Sequence, residues 1–528
     1  MSTTEFTEQE LNELSKEVLI KLFLGLQENV KELNQSVLNL TEQIKLMNQR
    51  KYGRKTETVS ADQLALDLEF NEAESLADPN EPEPSLEEAA PKKKRPKGKR
   101  AEDIRKVTNH REVPVELSEE ELNRRFGENG WKRLPDECIT KLEHIPASFE
   151  AVTYKIAVYA GKKDGTIVRA DKPDELWQNS IATPSLVSSI IVAKYGNGLP
   201  LYRLEKTYEE NEIFISRTTM ANWMMMVSER YLQYYFEGMK RELMKQKHIH
   251  ADETPVLVTK DGRETGTKSY MWVYRSLKGR GDPQIVLYDY QMTRSSEHPE
   301  KFLTDYNGTM ITDGYQTYHK LEKDHPMRFT VAGCWVHTKR KFAEYVKAIG
   351  KKSARGTLAE KAVNKIAKIY HEEHKLEGLP DEEKLKQRQE VIKPLVDDFF
   401  KWVKDKAPYV DSASATGKAF TYALNQEKYL RVFLNDPLVP LDNNSAEQAI
   451  RPFTIGRKNW VMIDTLRGAE ASAVLYSVVE TARANKLLGY KYLTWLLTEL
   501  PKYIHDFDAE IPEHLYPWSE NFPKELFK

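Results

Sequence analysis

The fold is decided by the stretch His248-Ile-His-Ala-Asp-Glu-Thr-Pro-Val-Leu-Val-Thr259. Its β-branched, largely apolar residues predict a long strand. Similar runs after it predict four more strands, at Lys268–Leu277, Gln284–Tyr290, Thr309–Thr312 and Phe329–Val336. A short helical pattern at Glu297–Tyr306 separates the third strand from the fourth. Together these runs predict a mixed sheet with helices around it.

Three acidic residues lie at strand ends or at a helix start in this pattern. Asp252 and Asp313 stand at or just after strand-like runs, and Glu447 stands on the first turns of a predicted helix. Taken singly, each is more often a turn or cap residue. In this order around a mixed sheet, however, they form the arrangement of ribonuclease-H-like nucleases. Two Asp and one Glu suit a pair of Mg²⁺ or Mn²⁺ ions, which can clamp the attacking and leaving oxygens of a phosphodiester.

Length and composition exclude several classes of protein. A chain of 528 residues should form several domains. No run approaches the ~20 apolar residues of a membrane span, and the polar, acidic N-terminus does not resemble a signal peptide. The two cysteines, Cys138 and Cys334, cannot form a disulfide framework. These features predict a cytoplasmic protein with no membrane partner.

The net charge of −2 conceals a strong asymmetry. Residues 67–90 contain nine acids and no Lys or Arg, whereas Lys92–Arg100 is almost entirely basic. We interpret residues 51–111 as a linker, acidic and then basic. The basic run is either a solvated linker or an arm that holds phosphates.

The first 50 residues predict a leucine zipper. Apolar residues alternate at the two seam positions of a heptad repeat, namely Leu19, Phe23, Leu26, Val30, Leu33, Val37, Leu40, Ile44 and Met47. Val and Ile at one position with Leu at the other favour a parallel two-stranded coiled coil. The protein is therefore expected to be a homo-oligomer, a dimer formed through the zipper; the alternative is an amphipathic helix packed on its own chain.

Two smaller modules are predicted between the linker and the sheet. Residues 112–175 form a small β module, with strands at Tyr154–Ala160 and Thr166–Ala170 joined by a turn. Residues 176–236 have the layout of a helix-turn-helix, in which Ser216 caps the second helix. Its first residues would contact DNA, namely Arg217, Thr218, Thr219 and Asn222. The alternative is an ordinary helical hairpin with Trp223 in its core.

The remaining chain is assigned to the domain that carries the acids. We predict a catalytic domain at residues 237–485 with a helical insertion at about 350–435, followed by a C-terminal tail at 486–528. The third acid begins a helix from about Ser445 into the 480s, with a break near Arg467. Basic residues near the acids are predicted to contact DNA, namely Arg340, Arg451, Arg457 and Lys458. The alternative for these residues is a solvated surface.

Several other chemistries lack support. Two cysteines 196 positions apart cannot build a cysteine-rich zinc finger. His248 and His250 could face one side of a strand, but no third His or Cys lies near them in the sequence. No Walker-type glycine loop and no Gly-x-Ser-x-Gly elbow is present, so neither ATP nor a serine hydrolase is implied.

At these motifs the sequence resembles the transposases of the insertion-sequence sixty-six family, bacterial DDE transposases. The shared motifs are Lys51–Glu57, Leu199–Arg203, Ile215–Trp223, Asp252–Pro255, Thr312–Tyr315, Gly333–His337, Asn443–Pro452 and Gly456–Asn459. The resemblance implies a multidomain α+β protein with a ribonuclease-H-like catalytic domain. It also implies that Asp252, Asp313 and Glu447 are the catalytic residues and the ligands of two Mg²⁺ or Mn²⁺ ions.

One departure concerns zinc. Members of the family commonly carry a four-cysteine finger before the helix-turn-helix, but Cys138 is alone in that region here. The β module is therefore interpreted as a degenerate zinc-finger-like fold, and no zinc is expected.

The functional hypothesis is a DNA transposase that cuts and joins the ends of its own insertion sequence by two-metal phosphodiester transfer. Its expected partners are the terminal inverted repeats, the target DNA, a second copy of the chain and small accessory proteins of the element. The bacterial nucleoid is the expected site of action. The alternatives are a catalytically decayed DNA-binding regulator and a metal-dependent nuclease without strand transfer.

Overall fold

A computed structural model describes residues 180–504, apart from 265 and 280–281, and then 511–519, 521 and 523–527. Earlier in the chain it describes only short pieces, at 15–20, 23–24, 27, 120, 124, 149, 158–160, 167–169 and 176–177. The chain divides into two compact units, one of residues 1–53 and 172–528 and the other of 54–171. The predicted linker at 51–111, Cys138 and most of the predicted zipper lie outside the described residues.

The smaller unit contains the predicted hairpin. Strands β1 (Val158–Ala160) and β2 (Ile167–Arg169) pair antiparallel, with Val158 opposite Arg169 and Ala160 opposite Ile167. The described residues cover only part of each predicted strand, at 158–160 and 167–169. Their pairing follows from two short β-branched runs on either side of a glycine-containing connection.

The described part of the predicted zipper is helical. Residues 16–20 form α-helix, and the backbone N–H groups of Val18 and Leu19 both donate to the Ser15 carbonyl. Its apolar side chains are exposed, as Ile20 and Phe23 illustrate at 50% and 66%. The remaining heptads lie outside the described residues, so the coiled coil remains a prediction.

The large unit is built on a mixed sheet. Its strands are β3 (His248–Lys260), β4 (Lys268–Ser276), β5 (Val286–Gln291), β6 (Gly308–Thr312) and β7 (Phe329–Gly333). Their order is β5-β4-β3-β6-β7. The first three strands are antiparallel neighbours, whereas β3, β6 and β7 run parallel. All five predicted strands are present.

The first four helices of the large unit pack beside this sheet. They are α1 (Pro184–Ile191), α2 (Leu201–Glu210), α3 (Arg217–Val227) and α4 (Gln233–Met244). Ser216 caps α3 as predicted, because its Oγ accepts from the Thr219 N–H at 3.1 Å. Trp223 is buried, and its helix shares one hydrophobic core with the sheet. The hairpin α2–α3 therefore has both the layout of a helix-turn-helix and a buried inner face.

Two α-helices lie between the later strands, and six more follow β7 in the region of the predicted insertion. Helices α5 (Glu297–Phe302) and α6 (Gln316–Asp324) flank β6. After β7 come α7 (Trp335–Ile349), α8 (Lys351–Ala354), α9 (Leu358–His374), α10 (Asp381–Gln387), α11 (Lys393–Lys406) and α12 (Ala415–Leu430). These later helices build a second hydrophobic cluster, which reaches the sheet through Ile311 and Ala332.

The last elements return to the sheet. Helix α13 (Asn444–Trp460) is followed by strand β8 (Ile463–Thr465), helix α14 (Leu466–Ala484) and helix α15 (Gly489–Glu499). Strand β8 pairs parallel with the far end of β3. Helix α14 covers the edge strand β5, where Ser477 and Thr481 accept from the N–H groups of Tyr288 and Val286 at 2.8 and 3.0 Å. These side chains satisfy edge groups that would otherwise be open to another strand.

Two predicted boundaries are wrong. The fifth strand ends at Gly333 rather than Val336, because the chain turns into α7 and the Trp335 N–H donates to the Leu441 carbonyl. The break in the helix that follows Glu447 lies at residues 461–465, before Arg467. Val461 takes a left-handed conformation at φ 64° and ends α13, and β8 then forms because its backbone can extend the sheet.

The tail after α14 packs against the rest of the large unit. Leu515, Tyr516 and Leu526 are buried and belong to the core shared with the sheet. Within the described residues, no helix is long and apolar enough to cross a membrane.

Candidate active site

The register of two parallel strands brings Asp252 and Asp313 to the same level. His248 pairs with Thr309, Ile249 with Met310, and His250 with Ile311. Continuing this offset of 61 residues sets Asp313 opposite Asp252, directly beyond the paired residues. Since neighbouring strands lie about 4.8 Å apart, their carboxylates share one edge of the sheet.

A buried asparagine connects this edge to the helix of the third acid. Asn443 immediately precedes α13, and its Oδ1 lies 2.8 Å from His250 Nδ1. Its Nδ2 donates to the Ala251 carbonyl at 2.8 Å, and its N–H donates to Cys334 Sγ at 3.3 Å. His250 precedes Asp252 by two residues, so both side chains lie on the same face of β3. Asn443 therefore fixes the first turn of α13, which carries Glu447, against that face.

Glu447 is surrounded by side chains from α7. Its Oε2 lies 3.4 Å from Arg340 Nη2, and its Oε1 lies 3.7 Å from His337 Nδ1. Burial and the charge of Arg340 lower the pKa of His337, so its imidazole is mainly neutral near neutral pH. Glu447 Oε1 is buried and makes no hydrogen bond within the described residues.

Asp313 is held by the turn that it begins. Its Oδ1 accepts from the Tyr315 N–H at 3.0 Å, and its carbonyl accepts from the Tyr422 hydroxyl at 2.8 Å. Gly314, which lies between Asp313 and Tyr315, has φ 92°. A Cβ at this position would lie 2.8 Å from both Tyr422 Oη and Gln426 Oε1. Glycine is therefore required at this turn, which joins the sheet edge to helix α12.

The electrostatics of the site fit a divalent cation. Burial raises the pKa of Asp252 well above its usual range, and the charges of Glu253, Asp313 and Glu447 raise it further. The carboxylates thus repel one another in a partly dehydrated place. Together with the unbonded Glu447 Oε1, this is a set of oxygen ligands that a hard cation such as Mg²⁺ would satisfy.

Sequence reasoning missed the role of Glu253. Alternation along β3 turns it away from Asp252, and its carboxylate accepts from Arg294 Nε at 3.0 Å and the Tyr318 hydroxyl at 2.9 Å. Arg294 in turn lies 3.5 Å from the ring centroid of Tyr315. Through Tyr315, this network contacts the turn that Asp313 begins. The period of two along the strand was the available signal, but the partners are remote in sequence.

Cys334, His337 and Glu447 form the one group of three potential metal ligands found among the described residues, with ligand atoms within 4.8 Å of one another. The thiol accepts from the backbone of Asn443, and burial raises the pKa of Cys334 to about 12. In this structure Cys334 therefore helps to attach the start of α13 through its hydrogen bond with Asn443.

His248 and His250 are also structural. His248 Nε2 lies 2.7 Å from Asp436 Oδ2, and His250 contacts Asn443. Burial lowers the pKa of His250 to about 4, so this ring stays neutral. Because Asn443 Oδ1 can only accept, Nδ1 of His250 must carry its proton.

The predicted DNA contacts fall in two places. Arg340 is at the acidic site, and Arg451 and Lys458 lie on the same helix as Glu447. Arg457 Nη1 donates to Thr254 Oγ1 at 3.0 Å and also to the Pro255 carbonyl, so this side chain ties α13 to β3.

The second group lies at the start of α3, away from the acids. Arg217, Thr218 and Asn222 are exposed there, and Thr219 is half-buried. A DNA contact by any residue of either group remains a prediction.

Comparison with known proteins identifies the class to which this fold and site belong. A model described as Transposase IS66 family matches residues 179–471, more than half of the chain. A second model, described as Transposase C of IS166 homeodomain, matches residues 39–108. The chain belongs to the IS66 family of transposases, which confirms the resemblance noted in its sequence. Transposases of this class cut and join DNA and generally use divalent metals.

The chain also resembles relatives from Sinorhizobium fredii (strain NBRC 101917 / NGR234). It is 26% identical to the uncharacterized protein y4qI over 501 residues, which covers 93% of this chain and 90% of the relative. It is 24% identical to the uncharacterized protein y4jD over 489 residues, covering 90% and 93% respectively. The similarity therefore extends across almost the whole length of each protein.

Proposed function

We propose that this transposase cuts and joins the ends of an insertion sequence through a ribonuclease-H-like site formed by Asp252, Asp313 and Glu447. The proposal is carried by the register of β3 and β6, which sets Asp313 level with Asp252, and by Asn443, which anchors the helix of Glu447 to β3. The charges of Asp313 and Glu447 also act on Asp252 and raise its pKa. The strand order also supports the proposal. Strands β5, β4 and β3 are antiparallel neighbours, and β6 and β7 follow on the other side of β3 and run parallel to it.

The three acids would hold two Mg²⁺ or Mn²⁺ ions. Bound ions of this kind supply Lewis-acid stabilisation to the attacking and leaving oxygens of a phosphodiester. The protein's own contribution is to fix the ligands. Asn443 orients the start of α13, and Tyr315 and Tyr422 orient the Asp313 turn.

The reaction proposed at this site has two in-line displacements. In the first, water attacks the phosphodiester at the element's end, and the P–O bond to the 3′ oxygen breaks to release a 3′-OH. In the second, this 3′-OH attacks a target phosphodiester, and another 3′ oxygen leaves. Arg340 is the cation beside Glu447 and is suited to hold a nonbridging phosphate oxygen in both steps.

Other parts of the chain would organise the DNA. We propose that the heptad segment at 19–47 pairs two copies, so that both element ends are held together. The α2–α3 hairpin would contact the terminal repeats through the exposed start of α3. These roles rest on the exposed apolar residues at 18–20 and 23 and on the exposed side chains of Arg217, Thr218 and Asn222.

An in vitro transfer assay tests the proposal. Duplexes carrying the inverted repeats that flank the gene are incubated with a target plasmid, Mg²⁺ and the full-length protein. We expect joined products with the wild type and none with Asp252→Asn, Asp313→Asn or Glu447→Gln, while end binding persists. Glu470→Gln, an exposed carboxylate on α14, is the matched control and should retain transfer.

The assay also separates the alternatives. Cleavage without joined products would identify a nuclease, and DNA binding without either reaction would identify a regulator. Transfer by any one of the three acid variants would contradict that residue's catalytic role.

A further inference from the structure

A cavity of about 410 Å³ is lined by residues of helix α3 and of the α13–β8 turn, and none of the three acids is among its lining residues. Its walls are mainly apolar, and they include Met224 and Met225 of α3 and Trp460 and Met462 at that turn. The volume is within the range of small-molecule sites, which are roughly 300–1,000 Å³. The cavity therefore has room for one planar aromatic group and a few attached atoms.

An unpaired cation lines the same cavity. The Lys194 ammonium lies 5.8 Å from the ring centroid of Trp460 and 5.5 Å from that of Tyr195. Within the described residues it makes no hydrogen bond or ion pair, and burial lowers the pKa of Lys194 to about 8. Lys194 is half-buried, and an ammonium in such a place without a hydrogen bond or ion pair is costly, so an anionic ligand would stabilise it.

The other charged groups around the cavity leave its positive character intact. Asp464 also lines it, but its carboxylate accepts from Lys260 Nζ at 2.7 Å and Thr259 Oγ1 at 3.0 Å. Arg217 adds a second cation at the rim, where it is exposed. An aromatic wall beside two cations matches a nucleotide, which combines a flat base with a phosphate.

The rim further connects the cavity with DNA. Arg217, Thr218 and Asn222, which the sequence predicts as DNA contacts, all line it. The α13–β8 turn on the opposite side exposes Val461 and Met462 at 57% and 48%. Exposed apolar residues at such a position resemble the wedges that proteins insert beside an unstacked base.

We propose that this cavity binds one unpaired nucleotide of the DNA substrate. The base stacks on Trp460 among the methionine side chains, and the adjoining phosphate lies between Lys194 and Arg217. This site extends the proposed function, because it presumes that the chain binds DNA, but it requires no cleavage or joining. It gives the protein a means of recognising a DNA end in which one base is already unpaired.

The experiment measures binding by the full-length protein in EDTA, so that no cleavage occurs. Two short duplexes of identical sequence are compared, one fully paired and one with an extra unpaired 2-aminopurine nucleotide. We expect the wild type to bind the second duplex roughly ten-fold more tightly, since base–aromatic stacking favours binding by amounts of this order. Its 2-aminopurine fluorescence should fall on binding, as the base stacks on Trp460.

Two variants assign the effect to the cavity. Trp460→Leu should abolish both the preference and the quenching, while binding of the paired duplex stays within about two-fold of the wild type. Lys194→Gln should weaken the preference and leave the hydrophobic wall unchanged, which keeps the test valid if Trp460→Leu folds poorly. Lys240→Gln is the matched control, because the Lys240 ammonium also lies over a ring, 4.4 Å from the centroid of Phe302, but outside this cavity.

The outcomes separate this proposal from the proposed function. Equal affinity for the two duplexes, or a preference that survives both cavity variants, would overturn the nucleotide site alone. Binding of the free 2-aminopurine deoxynucleotide without a preference for the unpaired duplex would also overturn it, in favour of a small-molecule site. Failure to bind either duplex would instead count against the DNA-binding role of the protein.

Discussion

Asn443 Oδ1 lies 2.8 Å from His250 Nδ1, and through this hydrogen bond the loop before α13 is attached to the strand that carries Asp252. The two residues are 193 positions apart. Both side chains are buried, and burial keeps the pKa of His250 near 4, so the ring donates a neutral N–H. This uncharged pair thus helps to fix the position of Glu447 relative to Asp252.

Replacing this asparagine should damage both stability and the site. Asn443→Ala leaves the His250 N–H and the Ala251 carbonyl without partners, and each such buried group costs about 1–3 kcal/mol. We expect the free energy of unfolding to fall by roughly 2–4 kcal/mol, as measured by urea denaturation. We also expect Mn²⁺ affinity, followed by electron paramagnetic resonance, to fall because Glu447 is no longer fixed.

Asn485→Ala is the matched control. Asn485 also donates through Nδ2 to a backbone carbonyl, that of Gln284 at 2.6 Å, but it lies beyond α14. It should lower stability and leave the affinity for Mn²⁺ unchanged. An equal loss of affinity in both variants would mean that Asn443 has no special role at the acids.

Removal of one acid should stabilise the metal-free protein while it removes the response to Mg²⁺. Burial raises the pKa of Asp252, and neighbouring carboxylates add to the shift. A carboxyl whose pKa is raised on folding contributes stability at low pH that is lost as pH rises towards the folded-state pKa. Asp252→Asn cannot ionise, so without metal its melting temperature should exceed that of the wild type at pH 8.

Added Mg²⁺ should reverse this order. An ion that binds only the folded state stabilises it by about 2.7 kcal/mol at a concentration one hundred times its Kd. The wild type should therefore gain melting temperature with Mg²⁺, and Asp252→Asn should gain little. Asp305→Asn, which replaces an exposed carboxylate, should respond like the wild type; if Asp252→Asn does so as well, Asp252 is not a ligand.

The sequence predicts the strands well because they have local signals, and it marks the acids as candidates for the same reason. β-branched runs indicate strands whatever their neighbours are, and an acid at a strand end needs no partner to be noticed. Asp252 and Asp313 could therefore be found from short stretches of sequence. To place these two residues opposite each other, one further fact is needed, namely the register in which β3 pairs with β6.

The parts that the sequence misses depend on contacts between distant residues. Nothing in its own segment marks Asn443, because its side chain binds residues of β3 that are remote in sequence. Arg457 looks like a free cation beside Glu447, yet it contacts Thr254, 203 positions away. The end of α13 was also missed, since Val461 adopts a left-handed conformation that β-branched residues rarely take.

The helical insertion depends on a buried arginine. Arg388 has no exposed side-chain surface, and its guanidinium forms an ion pair with Glu373. It also donates to the carbonyls of Phe433, Asp436 and Val439 at 2.7, 2.7 and 3.0 Å. The same loop carries the Asp436 carboxylate that contacts His248 on β3.

Arg388→Met should therefore loosen the connection between the insertion and the sheet. It leaves Glu373 without its closest cation, and breaking a buried ion pair costs about 3–5 kcal/mol. We expect a loss of this order in urea unfolding and faster proteolysis within residues 431–443. Arg355→Met, which changes an exposed arginine of the same insertion, should have little effect; similar losses in both would show that charge alone matters.

The buried carboxyl of Glu480 should make stability depend on pH. Burial raises its pKa from 4.5 to about 7, and the nearby Arg483, whose Nη1 lies 2.8 Å from Glu480 Oε1, offsets only part of that shift. Because the folded-state pKa is the higher one, the folded protein binds the proton more tightly. The stabilising contribution is complete below about pH 4.5 and is lost as pH rises through about 7. The shift corresponds to about 3 kcal/mol.

Glu480→Gln should remove this dependence while it keeps an oxygen acceptor for Arg483. Between pH 5 and pH 8, we expect the free energy of unfolding of the wild type to fall relative to that of Glu480→Gln by up to about 3 kcal/mol. Urea titrations at both pH values measure the difference. Glu470→Gln, on the exposed side of the same helix, should follow the wild type. If Glu480→Gln also follows it, burial of the Glu480 carboxyl does not control the pH response, and the loss must arise from other groups.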